Sequence, residues 1–149
     1  MLKKGESMLA KNITYKLFSG EEVTDEFLFN FSKSELIKLE MSNEGGISRL
    51  IERITKERDN KKLYGFFEWI ILESYGKISE DGKSFVKSKK LRKAFRQSEA
   101  YTNLVLEFLG EGGAESVAAF IEGVFPEDLV AEAKKAAGGS LVDIVNGTT

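Results

Sequence analysis

A mainly α-helical, compact multi-helix domain with an N-terminal β-hairpin is the fold that the 149-residue sequence predicts, and three observations predict it. From Ile47 onward, apolar residues recur at i, i+3, i+4 and i+7 in several separate stretches, the spacing that lines one face of a helix. Ahead of them, ITYKLF (Ile13 to Phe18) and TDEFLFNF (Thr24 to Phe31) are β-branched and aromatic runs with partial alternation, parted by the turn-like SGEE. Hydrophobic residues make up 42% and charged ones 31%, and a chain of this length can bury about 68–70% of its unfolded surface, so a real core is within reach.

Residues 1–12 are expected to form a flexible N-terminal arm. The hairpin follows at 13–31, and because an isolated hairpin is marginal in water it must lie against helices. Ser32 and Glu35 match a capping box, which predicts a short helix over Lys33–Met41. After SNEGG, the stripe Ile47, Leu50, Ile51, Ile54 marks a buried helix face, and Leu63, Phe66, Phe67, Ile70, Ile71 repeat it in the next helix. There Tyr64, Trp69, Leu72 and Tyr75 add apolar surface on other sides, which places this helix at the centre of the fold. Gly76 reads as its left-handed cap. KISEDGKSFVKS is a turn with a small second hairpin, and a helix carrying Leu91, Ala94 and Phe95 starts near Lys89.

Two matched stripes come next: Tyr101, Leu104, Val105, Phe108, Leu109, then Val117, Phe120, Ile121, Val124, Phe125. GEGG (Gly110 to Gly113) joins the two helices. Residues 13–126 are thus expected to be a single helical domain. Pro126 introduces EDLVAEAKKAA, so 127–149 reads as a C-terminal helix and tail, with the tail from Gly138.

Chemistry is narrowly bounded. Without cysteine there is no disulfide or thiolate metal site, and without histidine the commonest general base and zinc ligand are gone. No cofactor or metal is expected, and no enzymatic activity. EDGKS lacks the ligand spacing of a calcium loop and reads as an Asp-Gly turn. GEGGAES follows a helix rather than a strand and lacks a P-loop lysine. Glu40 and Glu44 sit close enough in sequence to form a carboxylate pair, but solvated surface is the expected reading. No apolar run approaches the roughly 20 residues needed to cross a bilayer, and MLKKGESMLAK has no apolar stretch behind its lysines to make a signal peptide, so a cytoplasmic protein without a membrane partner is expected.

Charge falls in blocks. Between Lys83 and Ser98 stand seven basic residues and no acidic one, while Glu99 to the end holds nine acidic residues and two lysines. The basic segment 83–96, with Phe85 and Phe95, supports an alternative reading as a nucleic-acid-binding module, since backbone tracking needs clustered Lys and Arg with aromatic platforms. The acidic overall balance disfavours it.

Taken in order, YKLFSGEEVTDEFLFNFSKSEL, LEMSNEGG, SYGKISEDGKSFVKS, FRQSEAYTNLVLEFL and AAFIEGVFP span Tyr15 to Pro126. Their order and spacing resemble the tail assembly chaperones of long-tailed bacteriophages, especially siphoviruses of Gram-positive hosts. That resemblance implies a non-enzymatic protein of the host cytoplasm, absent from the mature virion, that binds the tape measure protein and helps tail-tube protein assemble around it. The tape measure protein is expected, from the family, to be a long helical chain with apolar faces, which apolar helices can shelter by helix-in-groove packing. Most of the stripes are core, but Leu106 and the outward positions between Phe66 and Leu72 exceed what one buried face needs. Phe66, Trp69, Leu106, Val124 and Phe125 are therefore the candidate partner-binding residues, and the charge blocks leave room for homo-oligomer formation.

Overall fold

The computed structural model describes residues 8–146. Strands β1 (Met8–Lys16) and β2 (Glu22–Asn30) pair antiparallel in one unbroken register from Met8↔Asn30 to Lys16↔Glu22. The tip is closed by the Leu17 N–H donating to the Glu21 carbonyl and the Gly20 N–H to the Leu17 carbonyl, both at 2.8 Å. The strand therefore starts well before Ile13: Met8–Asn12, assigned by sequence to the arm, belong to β1, and the rest of that expected arm lies outside the described residues. Leu9 accounts for the extension. It opposes Phe29 across the ladder and lies against Gly123, where a Cβ would come within 2.8 Å of a Leu9 methyl.

The chain then runs α1 (Lys33–Ser42), α2 (Gly46–Lys56), α3 (Asn60–Ser74), β3 (Tyr75–Ile78), β4 (Phe85–Val86), α4 (Lys89–Arg96), α5 (Glu99–Leu109), α6 (Gly113–Val124), α7 (Glu127–Ala137) and α8 (Leu141–Asn146). All four strands form one antiparallel sheet in the order β1-β2-β3-β4. The domain is mainly helical with an N-terminal hairpin, as the periodicities predict.

Side-chain oxygens set several of the helix starts, each accepting an otherwise orphaned N–H. Ser32 and Glu35 form the capping box, with Ser32 Oγ accepting from the Glu35 N–H at 3.1 Å and Glu35 Oε1 from the Ser32 N–H at 2.8 Å. Asp59, Ser88 and Ser98 cap α3, α4 and α5 in the same manner. Gly76 departs from expectation. Helix α3 ends at Ser74 with Tyr75 already extended, and Gly76 is a strand residue instead of a left-handed cap. Its lack of a side chain is nonetheless required, because a Cβ there would lie 2.7 Å from the Val86 carbonyl oxygen and 2.6 Å from the Phe85 ring.

One apolar cluster joins sheet and helices. Phe29 of β2 reaches Phe120 of α6 at 5.0 Å between centroids, Phe120 reaches Phe108 of α5 at 5.4 Å, and Phe108 reaches Phe67 of α3 at 5.2 Å. Edge-to-face geometry in all three contacts sets the positive ring edge against the negative face. A second string, Phe27, Tyr75, Phe95 and Tyr101, seals the sheet against α4 and α5. Ile47, Leu50, Ile51 and Ile54 of α2 are all buried, as their spacing requires.

The C-terminal region is more ordered than a helix and tail. Leu141 and Ile144 of α8 are buried, and the Arg58 guanidinium donates to the Ile144 carbonyl. A six-residue helix is too short for its period to show in sequence. The last three residues of the expected tail, 147–149, lie outside the described part of the chain.

Candidate partner-binding surface

Exposure divides the five candidate residues. Leu106 is 58% exposed on the outer side of α5, whereas Val124 and Phe125 are fully buried at the end of α6 and cannot meet a partner in this fold. Their helical phase explains the correction. Both continue the stripe of Val117, Phe120 and Ile121, and Phe125 stacks on Phe31 with centroids 5.3 Å apart. Phe66 and Trp69 are half-buried; Trp69 stacks on Phe31 at 6.1 Å, and Phe66 lines a groove between α2 and α3.

The structure also exposes apolar residues that helical spacing had placed inside or left unmarked. Leu109, part of the expected stripe of α5, is 51% exposed three residues beyond Leu106. Tyr64 of α3 is half-exposed and lies against Tyr101 of α5. Ile37 and Met41, one turn apart on α1, are 60% and 78% exposed, and α1 buries no residue fully. Their i, i+4 spacing was readable, but a second apolar pair, Leu36 and Leu39, packs against the core from the same short helix. Spacing alone does not tell which pair faces inward.

The basic segment is partly consumed at home. Lys87 binds Glu35 at 2.8 Å, Arg92 meets Glu73 at 3.6 Å, and Arg96 meets Glu68 at 3.2 Å. Lys89, Lys90 and Lys93 stay exposed on α4. Phe95 is buried in the aromatic string, which removes it as a platform for a stacked base.

Glu40 and Glu44 form no pair: Glu40 Oε1 accepts from the Ile47 N–H at 2.9 Å and so caps α2, while Glu44 is exposed. Asp81 organises the β3–β4 turn, accepting from the Ser79 hydroxyl at 2.6 Å and the Lys83 N–H at 3.0 Å; these bonds, the Ser79 one foremost, hold its carboxyl below the ordinary range. Burial, with the Glu68 carboxylate nearby, pushes the Tyr101 phenol up. Among the described residues no group of three acidic side chains is placed to hold a metal ion, and no helix is long and apolar enough to cross a membrane.

What the arrangement offers is apolar helix surface with charged margins. No curated protein and no solved structure matches the sequence. A family model described as phage tail assembly chaperone does match, over residues 8–146. That span coincides with the folded elements from β1 to α8, and the chain belongs to the phage tail assembly chaperone family.

Proposed function

We propose that this chaperone binds the tape measure protein of a long-tailed siphovirus with a Gram-positive host and promotes assembly of tail-tube protein around it, acting in the host cytoplasm and leaving before the virion is complete. The observation that carries the reading is the pair Leu106 and Leu109, both more than half exposed on a helix whose other face is buried. Phe66 and Trp69, half-buried on α3, are further candidate contacts. At roughly 25 cal/mol per Å2, covering a few hundred Å2 contributes several kcal/mol before ordering costs. Affinity on that scale permits release when the tube closes, and repeated weak contacts along a long client supply the avidity.

Co-expression with the tape measure protein, alone and with tail-tube protein, is expected to give a soluble complex that co-purifies. Substituting Leu106→Gln and Leu109→Gln together should weaken capture at least tenfold, about 1.4 kcal/mol. The thermal midpoint should barely move, since exposed substitutions stay within about 0.5 kcal/mol. Unchanged capture by this variant, or no capture by the wild type, sinks the assignment. Free Lys89, Lys90 and Lys93 support the second reading, a nucleic-acid-binding module built on 83–96. It requires retention on a nucleic-acid column that falls steeply with salt and is lost in K89E/K90E/K93E.

A further inference from the structure

We infer that the groove between α2 and α3 seats a partner helix whose apolar residues are flanked by acidic ones. The inference rests on the chaperone reading and names the chemistry of the client at one surface. Phe66 lines the groove, and Arg49, Arg53 and Lys56 of α2 with Lys62 of α3 surround it. The spacing 49, 53, 56 keeps the first three on one side of α2, away from the buried stripe of Ile47, Leu50, Ile51 and Ile54.

Glu52 and Glu57 line the same groove, so its four cations leave a net charge of +2. Glu52 is taken by Lys56 at 3.1 Å, and Glu57 turns back to accept from the Asp59 N–H at 3.3 Å. Arg53 donates to the neutral Asn43 amide oxygen at 3.2 Å. Among the described residues, Arg49, Arg53 and Lys62 have no ion pair. A guanidinium is the side chain best shaped to take a carboxylate through two parallel hydrogen bonds, so glutamates or aspartates beside an apolar stripe complement both the floor and the walls. An interhelical groove of this kind accepts a helix laid along it.

Other occupants fit less well. A second copy offers no exposed large apolar residue in α6, α7 or α8, and on α1 the carboxylates beside exposed Ile37 and Met41 are engaged, Glu35 by Lys87 and Glu40 by the Ile47 N–H. On α5, the carboxylate between Leu106 and Leu109, Glu107, is already held by Lys11 at 2.8 Å. A nucleic-acid strand needs open aromatic faces, and the single ring here is half-buried.

Two synthetic helical peptides with leucines at i, i+3, i+4 and i+7, one flanked by glutamates and one by lysines, test the inference by fluorescence anisotropy on the whole protein. The glutamate peptide is expected to bind at least tenfold more tightly at low salt, and R49E/R53E to remove or invert that preference. Circular dichroism checks that the variant is folded, and K62E repeats the test away from the Asn43 contact. Equal binding of the two peptides overturns the inference, as does binding of neither, or tighter binding of a single-stranded oligonucleotide of matched charge. Light scattering that shows a dimer dissolved by R49E/R53E overturns it in favour of a second copy. If the peptides fail while co-expression still yields the complex, only this inference falls; if the complex fails too, the chaperone reading falls with it.

Discussion

Truncating Phe29 to alanine should lower the free energy of unfolding by about 3–5 kcal/mol, the usual cost of emptying a buried aromatic site. Phe29 is wholly inaccessible, and its ring meets Tyr75 at 6.0 Å, Phe95 at 6.1 Å and Phe120 at 5.0 Å. It is the residue at which the inner strand of the hairpin, the short β3 strand and the α6 helix all pack together. No neighbour can collapse into the gap without dragging an element with it. Since domains of this size are stable by only about 5–15 kcal/mol, the variant should be partly unfolded at 37 °C. Phe29→Leu keeps most of the volume and should cost about 1.5 kcal/mol. Urea titration followed by the single tryptophan, Trp69, reads both values. A loss under about 1 kcal/mol for the alanine variant would mean that the aromatic network does not hold sheet to helices.

Replacing Lys87 with alanine comes second, with an expected loss of about 2–3 kcal/mol. Its ammonium donates to both Glu35 oxygens, at 2.8 and 2.9 Å, and to the Glu73 carbonyl at 2.7 Å, and it stands 5.0 Å from the centre of the Phe31 ring. One side chain thus ties the start of α1, the end of α3 and the β4–α4 connection. The loss falls short of the 3–5 kcal/mol typical of a fully buried broken pair because the Glu35 side chain, 37% exposed, can rehydrate. Lys87→Met preserves the apolar stem and separates packing from charge. A double-mutant cycle with Glu35→Gln should show a coupling of about 1–2 kcal/mol.

The same pair dictates a pH dependence. Burial by itself raises the Glu35 carboxyl, but hydrogen bonds from Lys87 and the Ser32 N–H outweigh it and leave the group below its ordinary 4.5. A carboxyl depressed on folding contributes stability that is fully present above its unfolded value and is lost as pH falls through the lower folded value. Unfolding midpoints of the wild type should therefore drop below about pH 4.5 more steeply than those of Glu35→Gln. Parallel acid limbs for the two proteins would show that the pair is not coupled to folding.

How much was legible follows from where the information resides. The stripes of α2 and α6, the Ser32–Glu35 box and the Asp81 turn are all settled by residues within one or two helical turns of one another, and each is where the spacing placed it. The binding surface is different. Leu106 was readable as surplus because it breaks the phase of its own helix, yet Leu109, in phase, is half exposed, and Val124 and Phe125, offered as surface, are core. Phase tells which residues share a face; it does not tell how far the neighbouring elements extend over that face.

The amino-acid sequence by itself determined the class of fold, the order of its elements as far as α7 and the bar on thiol or imidazole chemistry, because hydrogen bonding, capping and side-chain inventory are properties of short segments. Only the tertiary structure decided that β1 begins at Met8, that α8 closes the C-terminal end, that Lys87 faces inward, and that Arg49, Arg53 and Lys62 gather around Phe66. Each of these depends on partners far along the chain, and burial is set by what comes to lie beside a residue in space.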